Sequence, residues 1–257
     1  MLKRYLKLVL GTFILGYVAI GILLYIFKYE ILYHPTPDVQ TKYGGFMLEV
    51  NDAEVYVHVL NPGHENAILY FGGNGESMAG SSDYVAKQFP AFTCYLMDYR
   101  GYGKSTGKPR EKMLYSDALK LYDTIKSKHK RISIGGRSLG SGIATYVAAH
   151  RNVSKLALIT PYDSILHVAR ERYPMYPVSF LLDERYDSLS RVKAIKADTL
   201  IIVAALDQVI PKSSTQKLIE AFDPKQLKVI VIKNRGHIDI SSDIKYYKSM
   251  QDFIGEG

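Results

Sequence analysis

The sequence predicts an α/β protein: a mostly parallel, twisted sheet with helices on both faces, a short cap and one N-terminal transmembrane helix. Three observations lead to this prediction. Short apolar runs alternate with segments of helical period, a serine between glycines follows one run, and an uncharged apolar stretch lies near the N-terminus. The runs cover residues 68–71, 93–97, 132–134, 156–159, 200–204 and 229–232. Because runs that are apolar on both faces must be covered on both sides, they indicate parallel strands, with functional residues at their carboxyl ends.

The composition fits one large α/β domain. The chain has 257 residues, of which 47% are hydrophobic, enough to bury a sizeable sheet. Its one cysteine, Cys94, excludes an internal disulfide framework and any multi-cysteine metal site. Cys94 lies inside an apolar run, which predicts a buried structural thiol. The residues imply no metal and no organic cofactor.

The charge distribution argues against a nucleic-acid partner. The formal net charge is +8, and Lys3, Arg4 and Lys7 precede the first apolar stretch, so +8 − 3 = +5 remains for the rest of the chain. These remaining charges form no long basic run. The pattern favours mild attraction to anionic lipid over nucleic-acid binding.

The first apolar stretch, residues 8–27, contains twenty residues without a charge. A helix of that length spans about 30 Å, the hydrocarbon thickness of a bilayer. A cleaved signal peptide would have a shorter apolar region and an A-x-A-like site, and a buried core helix is rarely apolar all round. We therefore expect residues 1–29 to be a membrane anchor and residues 30–257 to be the folded domain.

The charges that flank the stretch predict its orientation. Three cations precede it, whereas after it Lys28 is offset by Glu30. By the positive-inside rule, the N-terminus is expected in the cytoplasm and the folded domain on the periplasmic or lumenal side. This is the topology of a signal anchor.

The next elements are a linker, a hairpin and the parallel part of the sheet. Pro35 and Pro37 stop any helix after the anchor. Two alternating segments, residues 46–50 and 55–60, predict an antiparallel hairpin at the sheet edge. Among the later helical segments, one places four apolar residues on a single face: Leu114, Ala118, Leu121 and Ile125.

Residues 161–197 are the predicted cap. They are rich in apolar side chains and are interrupted by Pro174 and Pro177. Two interpretations remain open: these side chains pack on the sheet, or they form an apolar entrance for an acyl chain. Because the cap is short, we expect it to leave the site fairly open.

The candidate nucleophile is Ser138. Gly136 and Gly140 lie two residues before and after it, between the apolar run 132–134 and the helical segment 143–149. This pattern is typical of a nucleophile elbow, a strand-to-helix turn so tight that both flanking positions must lack side chains. The turn exposes the serine hydroxyl at a helix N-terminus, where unpaired N–H groups favour negative charge.

A serine hydroxyl needs a base within hydrogen-bond reach, and the base needs a carboxylate that fixes its tautomer. His237 follows a strand run through a glycine, and His167, in the predicted cap, is its rival. Asp207 lies in a turn that follows a strand. The chain order of Ser138, Asp207 and His237 is the order that the elbow fold uses.

Two other carboxylates compete with Asp207 for this role. Asp163 also follows a strand, and Asp239 lies two residues after His237. Chain order favours Asp207, and so does its position in a turn that Pro211 closes.

The oxyanion hole is predicted from the turn Gly72-Gly73-Asn74-Gly75, which allows backbone N–H groups to approach a ligand closely. The backbone amides of Asn74 and Leu139 are the candidate donors. A plain tight turn without a catalytic role is the alternative interpretation.

Together these motifs resemble the α/β-hydrolase superfamily. Within it, the chain is similar to small membrane-anchored members that are grouped with serine aminopeptidase-type hydrolases and with the alpha/beta-hydrolase-domain-containing proteins. The resemblance covers about residues 30–255. The motifs that carry it are residues 32–37, 98–105, 136–140, 161–164, 207–211 and 236–237. Two departures are Gly72-Gly73 and Val203-Ala204, where the family usually has His-Gly.

The resemblance implies Ser138 as the nucleophile, Asp207 as the acid and His237 as the base. The expected function is cleavage of carboxylic ester or thioester substrates, with a small acyl or lipidated molecule as the substrate. Some relatives resemble depalmitoylating thioesterases. A serine peptidase or amidase is one alternative, because amide cleavage uses the same kind of site. A non-catalytic binding protein on the same fold is another.

Overall fold

The computed structural model describes residues 1–256, and within them eight strands form one sheet. The strands are β1 (Gly45–Val50), β2 (Ala53–Leu60), β3 (Asn66–Phe71), β4 (Thr93–Met97), β5 (Arg131–Arg137), β6 (Lys155–Ile159), β7 (Asp198–Ala204) and β8 (Leu227–Ile232). Their order across the sheet is β1-β2-β4-β3-β5-β6-β7-β8. The edge strands β1 and β2 pair antiparallel, as do β2 and β4, and all later pairs are parallel. Each predicted apolar run lies inside a strand, so the predicted fold class and edge hairpin are confirmed.

Helices connect the strands and cover both faces of the sheet. They are α1 (Leu2–Ile26), α2 (Lys28–Leu32), α3 (Met78–Gln88), α4 (Glu111–Ile125), α5 (Leu139–His150), α6 (Ile165–Arg172), α7 (Val178–Leu181), α8 (Lys212–Ala221) and α9 (Ile244–Gly255). Helices α4, α5 and α8 contribute to one buried cluster, and α3 and α9 to the other. Successive residues of β3 belong to the two clusters in turn. Ile68 lies in the cluster with α3 and α9, and Leu69 lies in the cluster with α4, α5 and α8.

Side chains within these layers have the burial that the sequence predicts. The four apolar residues on one face of α4 are fully buried. Cys94 is also fully buried, and burial raises the pKa of its thiol to about 12. A thiol in that environment stays protonated at neutral pH, as a structural cysteine does.

The predicted cap divides into two parts. Helices α6 and α7 lie beside a cavity that reaches Ser138. The later part contains a 3₁₀ helix, Leu189–Ala194, and buries Val192 and Ile195 in the main core. The later part thus packs on the core, as the first interpretation predicts, and an entrance for an acyl chain stays a prediction for the part that contains α6 and α7.

Helix α1 is long and apolar enough to cross a membrane, with a mean hydropathy of 2.3 over its most apolar window. None of its residues is fully buried. Its side chains therefore present an apolar surface that a bilayer would cover.

The turn from β5 to α5 yields a stability prediction. A methyl group at Gly140 would collide with the backbone carbonyl of Phe71. Because this carbonyl belongs to the neighbouring strand, Gly140→Ala should lower the free energy of unfolding by about 1–3 kcal/mol. Gly44→Ala is the matched control, since nothing lies near a methyl group at Gly44. Thermal unfolding in detergent micelles checks this, and equal melting temperatures for the two variants would contradict it.

Candidate active site

Ser138 occupies the turn between β5 and α5 in a backbone conformation that side-chain-bearing residues rarely adopt, with φ 49° and ψ −118°. Such a conformation persists only where its surroundings enforce it. A methyl group at Gly136 would lie 2.5 Å from Cβ of Ala144, so the turn can form only with glycine there. The Ser138 N–H donates to the carbonyl of Ile159 on the neighbouring strand at 2.9 Å. Sterics and this hydrogen bond together hold the serine at the carboxyl edge of the sheet.

The structure brings three of the predicted site residues into one hydrogen-bonded chain. His237 Nε2 lies 2.8 Å from Ser138 Oγ, and His237 Nδ1 lies 2.8 Å from Asp207 Oδ2. The carboxylate accepts from Nδ1–H, which leaves Nε2 as the acceptor for the serine hydroxyl. This is the arrangement in which the imidazole can remove the proton from the serine.

The second carboxylate oxygen of Asp207 accepts the N–H groups of Val209 and Ile210, each at 2.8 Å. Burial acts to raise the pKa of Asp207. The hydrogen bond from His237, the electrostatic interaction with that residue and the two backbone N–H groups act to lower it. These three effects outweigh burial, so the pKa of Asp207 lies below its ordinary value. Asp207 therefore stays ionised at neutral pH. Its stabilising contribution is present above the unfolded-state pKa, about 4, and is lost as the pH falls through the folded-state value.

The competing residues have other partners. Asp163 accepts from His167 Nδ1 at 2.7 Å and from Ser214 Oγ at 2.6 Å. Asp239 accepts the N–H of Gly236 at 2.8 Å, which closes the turn that precedes the histidine. The geometry thus pairs His237 with Asp207, and Asp163 with His167.

The predicted oxyanion residues Asn74 and Leu139 line the same cavity as Ser138. Hydrogen bonds fix the Asn74 side chain: its Oδ1 accepts the N–H of His34 and the hydroxyl of Tyr102, each at 2.8 Å. Leu139 is the first residue of α5, and the N–H groups at a helix start have no partner within the helix. Both residues therefore line the cavity that contains Ser138, and the Leu139 N–H has no partner within α5.

Sequence reasoning missed Arg137 and Glu76, which connect the loops around the site. The Arg137 guanidinium donates to the carbonyls of His237 at 3.1 Å and Ile238 at 2.9 Å. It also lies 3.7 Å from Glu76, whose carboxylate accepts the N–H of Gly73 at 2.8 Å. The ion pair of Arg137 and Glu76 therefore links the loop that carries His237 (the histidine loop) to the turn Gly72-Gly73-Asn74-Gly75, for which an oxyanion role is predicted (the oxyanion loop). The only sequence signal was the position of Arg137 next to the serine, which does not reveal where its side chain points.

The cavity beside Ser138 has a volume of about 440 Å³, which is in the usual range for small-molecule sites. Its walls are mainly apolar and include Ile165, Val168, Leu181 and Val209. Within residues 1–256, no cluster of three or more histidine, cysteine, aspartate or glutamate side chains is arranged to hold a metal ion. The cavity thus suits an apolar group placed next to the serine.

Comparison with known proteins agrees with the fold. A family model described as "alpha/beta hydrolase fold" matches residues 66–191, from the start of β3 into the later part of the cap. The chain belongs to the α/β-hydrolase superfamily. The match includes Ser138 but ends before Asp207 and His237, so the pairing of those two residues rests on the geometry.

Among curated proteins, this α/β hydrolase is 31% identical over 179 residues to an uncharacterized protein of Mycobacterium tuberculosis. The alignment covers 67% of this chain and 63% of that protein. It is 27% identical over 199 residues to the alpha/beta hydrolase domain-containing protein aho-3 of Caenorhabditis elegans, covering 75% of this chain and 58% of the relative. The chain thus spans about three fifths of the length of these relatives.

Solved structures show the same fold. The enol-lactonase from Burkholderia xenovorans superposes with a TM-score of 0.66 at 18% identity, covering 82% of this chain and 100% of that one. An esterase from Pyrococcus furiosus superposes with a TM-score of 0.67 at 17% identity, covering 86% and 98%. At such identities the likeness establishes the α/β-hydrolase architecture alone.

The bridge through Arg137 yields a prediction about positioning. Arg137→Met keeps most of the side-chain volume but removes both donors to the histidine loop, so the imidazole should lose its alignment. We expect the rate of Ser138 labelling by a fluorophosphonate to fall about tenfold or more, since small misplacements of reacting groups are costly. Lys233→Met, at an exposed position just before the same loop, is the control. Equal labelling rates for the two variants would show that the bridge has no positioning role.

Proposed function

We propose that this α/β hydrolase is a membrane-anchored serine hydrolase that cleaves carboxylic ester or thioester bonds. The observation that carries the proposal is the continuous hydrogen-bonded chain from Ser138 through His237 to Asp207, at the open edge of the sheet. Each member has the chemical type and the partner that its role requires. The strained backbone at Ser138 supports the same assignment, because strain of this kind is typical of functional turns.

In the proposed reaction, His237 Nε2 removes the proton of Ser138 as its Oγ attacks the substrate carbonyl carbon. The amides of Asn74 and Leu139 stabilise the negative charge that develops on the carbonyl oxygen. The imidazolium, stabilised by Asp207, then protonates the leaving alcohol or thiol, and an acyl-enzyme remains. A water molecule, deprotonated by His237, attacks the acyl-enzyme and releases the acid, which restores the serine hydroxyl.

The apolar cavity supports an acyl group as the part of the substrate that is recognised. Its lining offers hydrophobic contact to a hydrocarbon chain next to Ser138, and few polar groups that would select a peptide. An ester or thioester is therefore preferred over an amide. Turnover of matched acyl esters and aminoacyl amides tests this order, and a clear preference for the amide would reverse it.

The location follows from the N-terminal helix. We propose a single-pass anchor with the N-terminus in the cytoplasm and the catalytic domain on the periplasmic or lumenal side, supported by Lys3, Arg4 and Lys7 before the span.

Labelling by an active-site fluorophosphonate tests the serine assignment. The wild-type protein should form a covalent adduct, and Ser138→Ala should form none, because that variant lacks the nucleophile. Ser141→Ala is the matched control, since Ser141 is a nearby serine whose hydroxyl donates to the Ser138 carbonyl. A folded wild-type protein that takes no label would favour a non-catalytic binding protein.

Two aspartate variants test the acid assignment. Asp207→Asn should lower kcat by about 10²–10⁴, because the amide no longer fixes the productive tautomer of His237. Asp163→Asn should lower kcat far less, because Asp163 pairs with His167. Steady-state hydrolysis of a water-soluble acetyl ester measures both, and the opposite ranking would move the acid role to Asp163.

A further inference from the structure

The part of the cap between Arg172 and Asp183, residues 173–182, contains ten residues without a charge. We call this segment the cap tip. Two of its exposed side chains are large and apolar: Met175 is 76% exposed and Phe180 is 87% exposed. A run of this kind on a water-facing surface would be unfavourable, and contiguous exposed apolar surface marks a site of contact.

The cap tip packs against helix α1. The ring of Tyr17 stacks on Tyr176 with 4.7 Å between ring centres, and the Tyr17 hydroxyl donates to the carbonyl of Met175 at 2.6 Å. One turn later, Gly21 has no side chain, and a methyl group there would lie 3.4 Å from the Tyr176 ring. The absence of a side chain at Gly21 thus allows the cap tip to lie close to the helix.

The position of α1 relative to the domain is held by buried contacts directly after it. Tyr33, which ends α2, is buried and donates its hydroxyl to Glu184. The hydroxyl of Tyr186 lies 2.7 Å from the same Tyr33 oxygen. On the surface, Lys28 lies 3.1 Å from Asp183. These contacts therefore attach the residues directly after α1 to the segment 183–186, which follows the cap tip in the chain.

The depth of the contact follows from helix geometry. Tyr17 lies 28 − 17 = 11 residues before Lys28, which is about 16 Å along the helix axis. The hydrocarbon core of a bilayer is about 30 Å thick, so a helix with Lys28 at one interface places Tyr17 near the middle of the membrane. The helix has no slack for a shift toward water, because Lys3, Arg4 and Lys7 must remain at the opposite interface.

From these contacts we propose that the cap tip inserts into the hydrocarbon of the adjacent lipid leaflet alongside α1. Its occupant is the acyl region of the bilayer itself, because the surface is continuous with a helix that the bilayer surrounds. Arg172 and the pair formed by Lys28 and Asp183 mark the headgroup level at the two ends of the segment.

The backbone of the cap tip suits this environment. In hydrocarbon, backbone N–H and carbonyl groups must find partners within the protein. The N–H of Tyr176 donates to Tyr173, that of Val178 to Tyr176, and that of Leu182 to Val178. Pro174 and Pro177 have no N–H to satisfy. The Met175 carbonyl accepts the hydroxyl of Tyr17, so α1 also contributes a hydrogen bond to the segment.

The insertion also determines where a substrate enters. The cavity that contains Ser138 is lined on one side by Leu24, Ile31 and Leu32 of α1 and α2. The cap residues that line it include Tyr176 and Leu181. The anchor is thus a wall of the cavity, and an acyl chain can pass from the leaflet to the serine between α1 and the cap. This route rests on the proposed hydrolase activity, whereas the insertion rests only on the proposed membrane anchor.

The absence of tryptophan from the sequence allows a direct measurement of depth. Phe180→Trp places a single tryptophan, excited selectively over the tyrosines, on the cap tip of the full-length protein in phosphatidylcholine vesicles. Lipids with bromine in their acyl chains should quench roughly half or more of its emission, because the site lies within the hydrocarbon layer. Ser127→Trp is the matched control, exposed at the opposite end of the parallel strands, and should keep its emission. Equal quenching of the two variants would overturn the proposed insertion, whether or not the protein is an enzyme.

A charge on the cap tip tests the route of entry. Phe180→Lys should lower turnover of a palmitoyl thioester embedded in vesicles about tenfold, because a cation resists transfer into hydrocarbon. Turnover of a water-soluble acetyl ester should be unchanged, and Ser127→Lys should change neither. Unchanged palmitoyl turnover, or an equal loss with both substrates, would overturn the route. If the wild type cleaves neither substrate, the proposed function and the route fail together, and the fluorescence result still decides the insertion.

Discussion

The constraint on which the rest of the site depends is the steric demand of the turn at Ser138. The chain leaves β5 and enters α5 within a few residues, and this is possible only with a positive φ at Ser138 and with glycine two residues before it and two residues after it. The strain places the hydroxyl above the edge of the sheet, where no regular structure competes for it. Every other residue of the site is positioned relative to this fixed point.

The loops around Ser138 are held by the charged side chains of Arg137 and Glu76 as well as by packing. Arg137 belongs to the same turn and donates to the backbone of the histidine loop, while Glu76 binds the oxyanion loop and lies near Arg137. Asp207 is held in turn by N–H groups of its own turn. Such a network reduces the freedom of three separate loops at once, which is what a preorganised site requires.

The N-terminal helix extends the site beyond the globular domain. Leu24 of α1 and Leu32 of α2 line the cavity that reaches Ser138. The stacked pair of Tyr17 and Tyr176 joins this helix to the cap. In the proposed arrangement, substrate access and membrane attachment are coupled through this one set of contacts.

Much of this protein could be predicted from the sequence because the relevant signals are local. Two-sided apolar runs, glycines spaced around Ser138 and an uncharged stretch of membrane length each reflect a steric or solvation demand that acts within a few residues. These signals determined the fold class, the elbow and the helix that is long enough to span a bilayer. The chain order of Ser138, Asp207 and His237 also favoured the pairing that the structure contains.

Only the tertiary structure decided which distant groups meet. Asp163 and Asp207 both follow strands, and the structure separates them by giving Asp163 to His167. The direction of the Arg137 side chain and the division of the cap into a cavity wall and a core segment were equally undetermined. So was the contact between α1 and the cap tip. In each case the physical reason is the same: the partners lie far apart in the chain, and their distance depends on how the whole sheet and its helices pack.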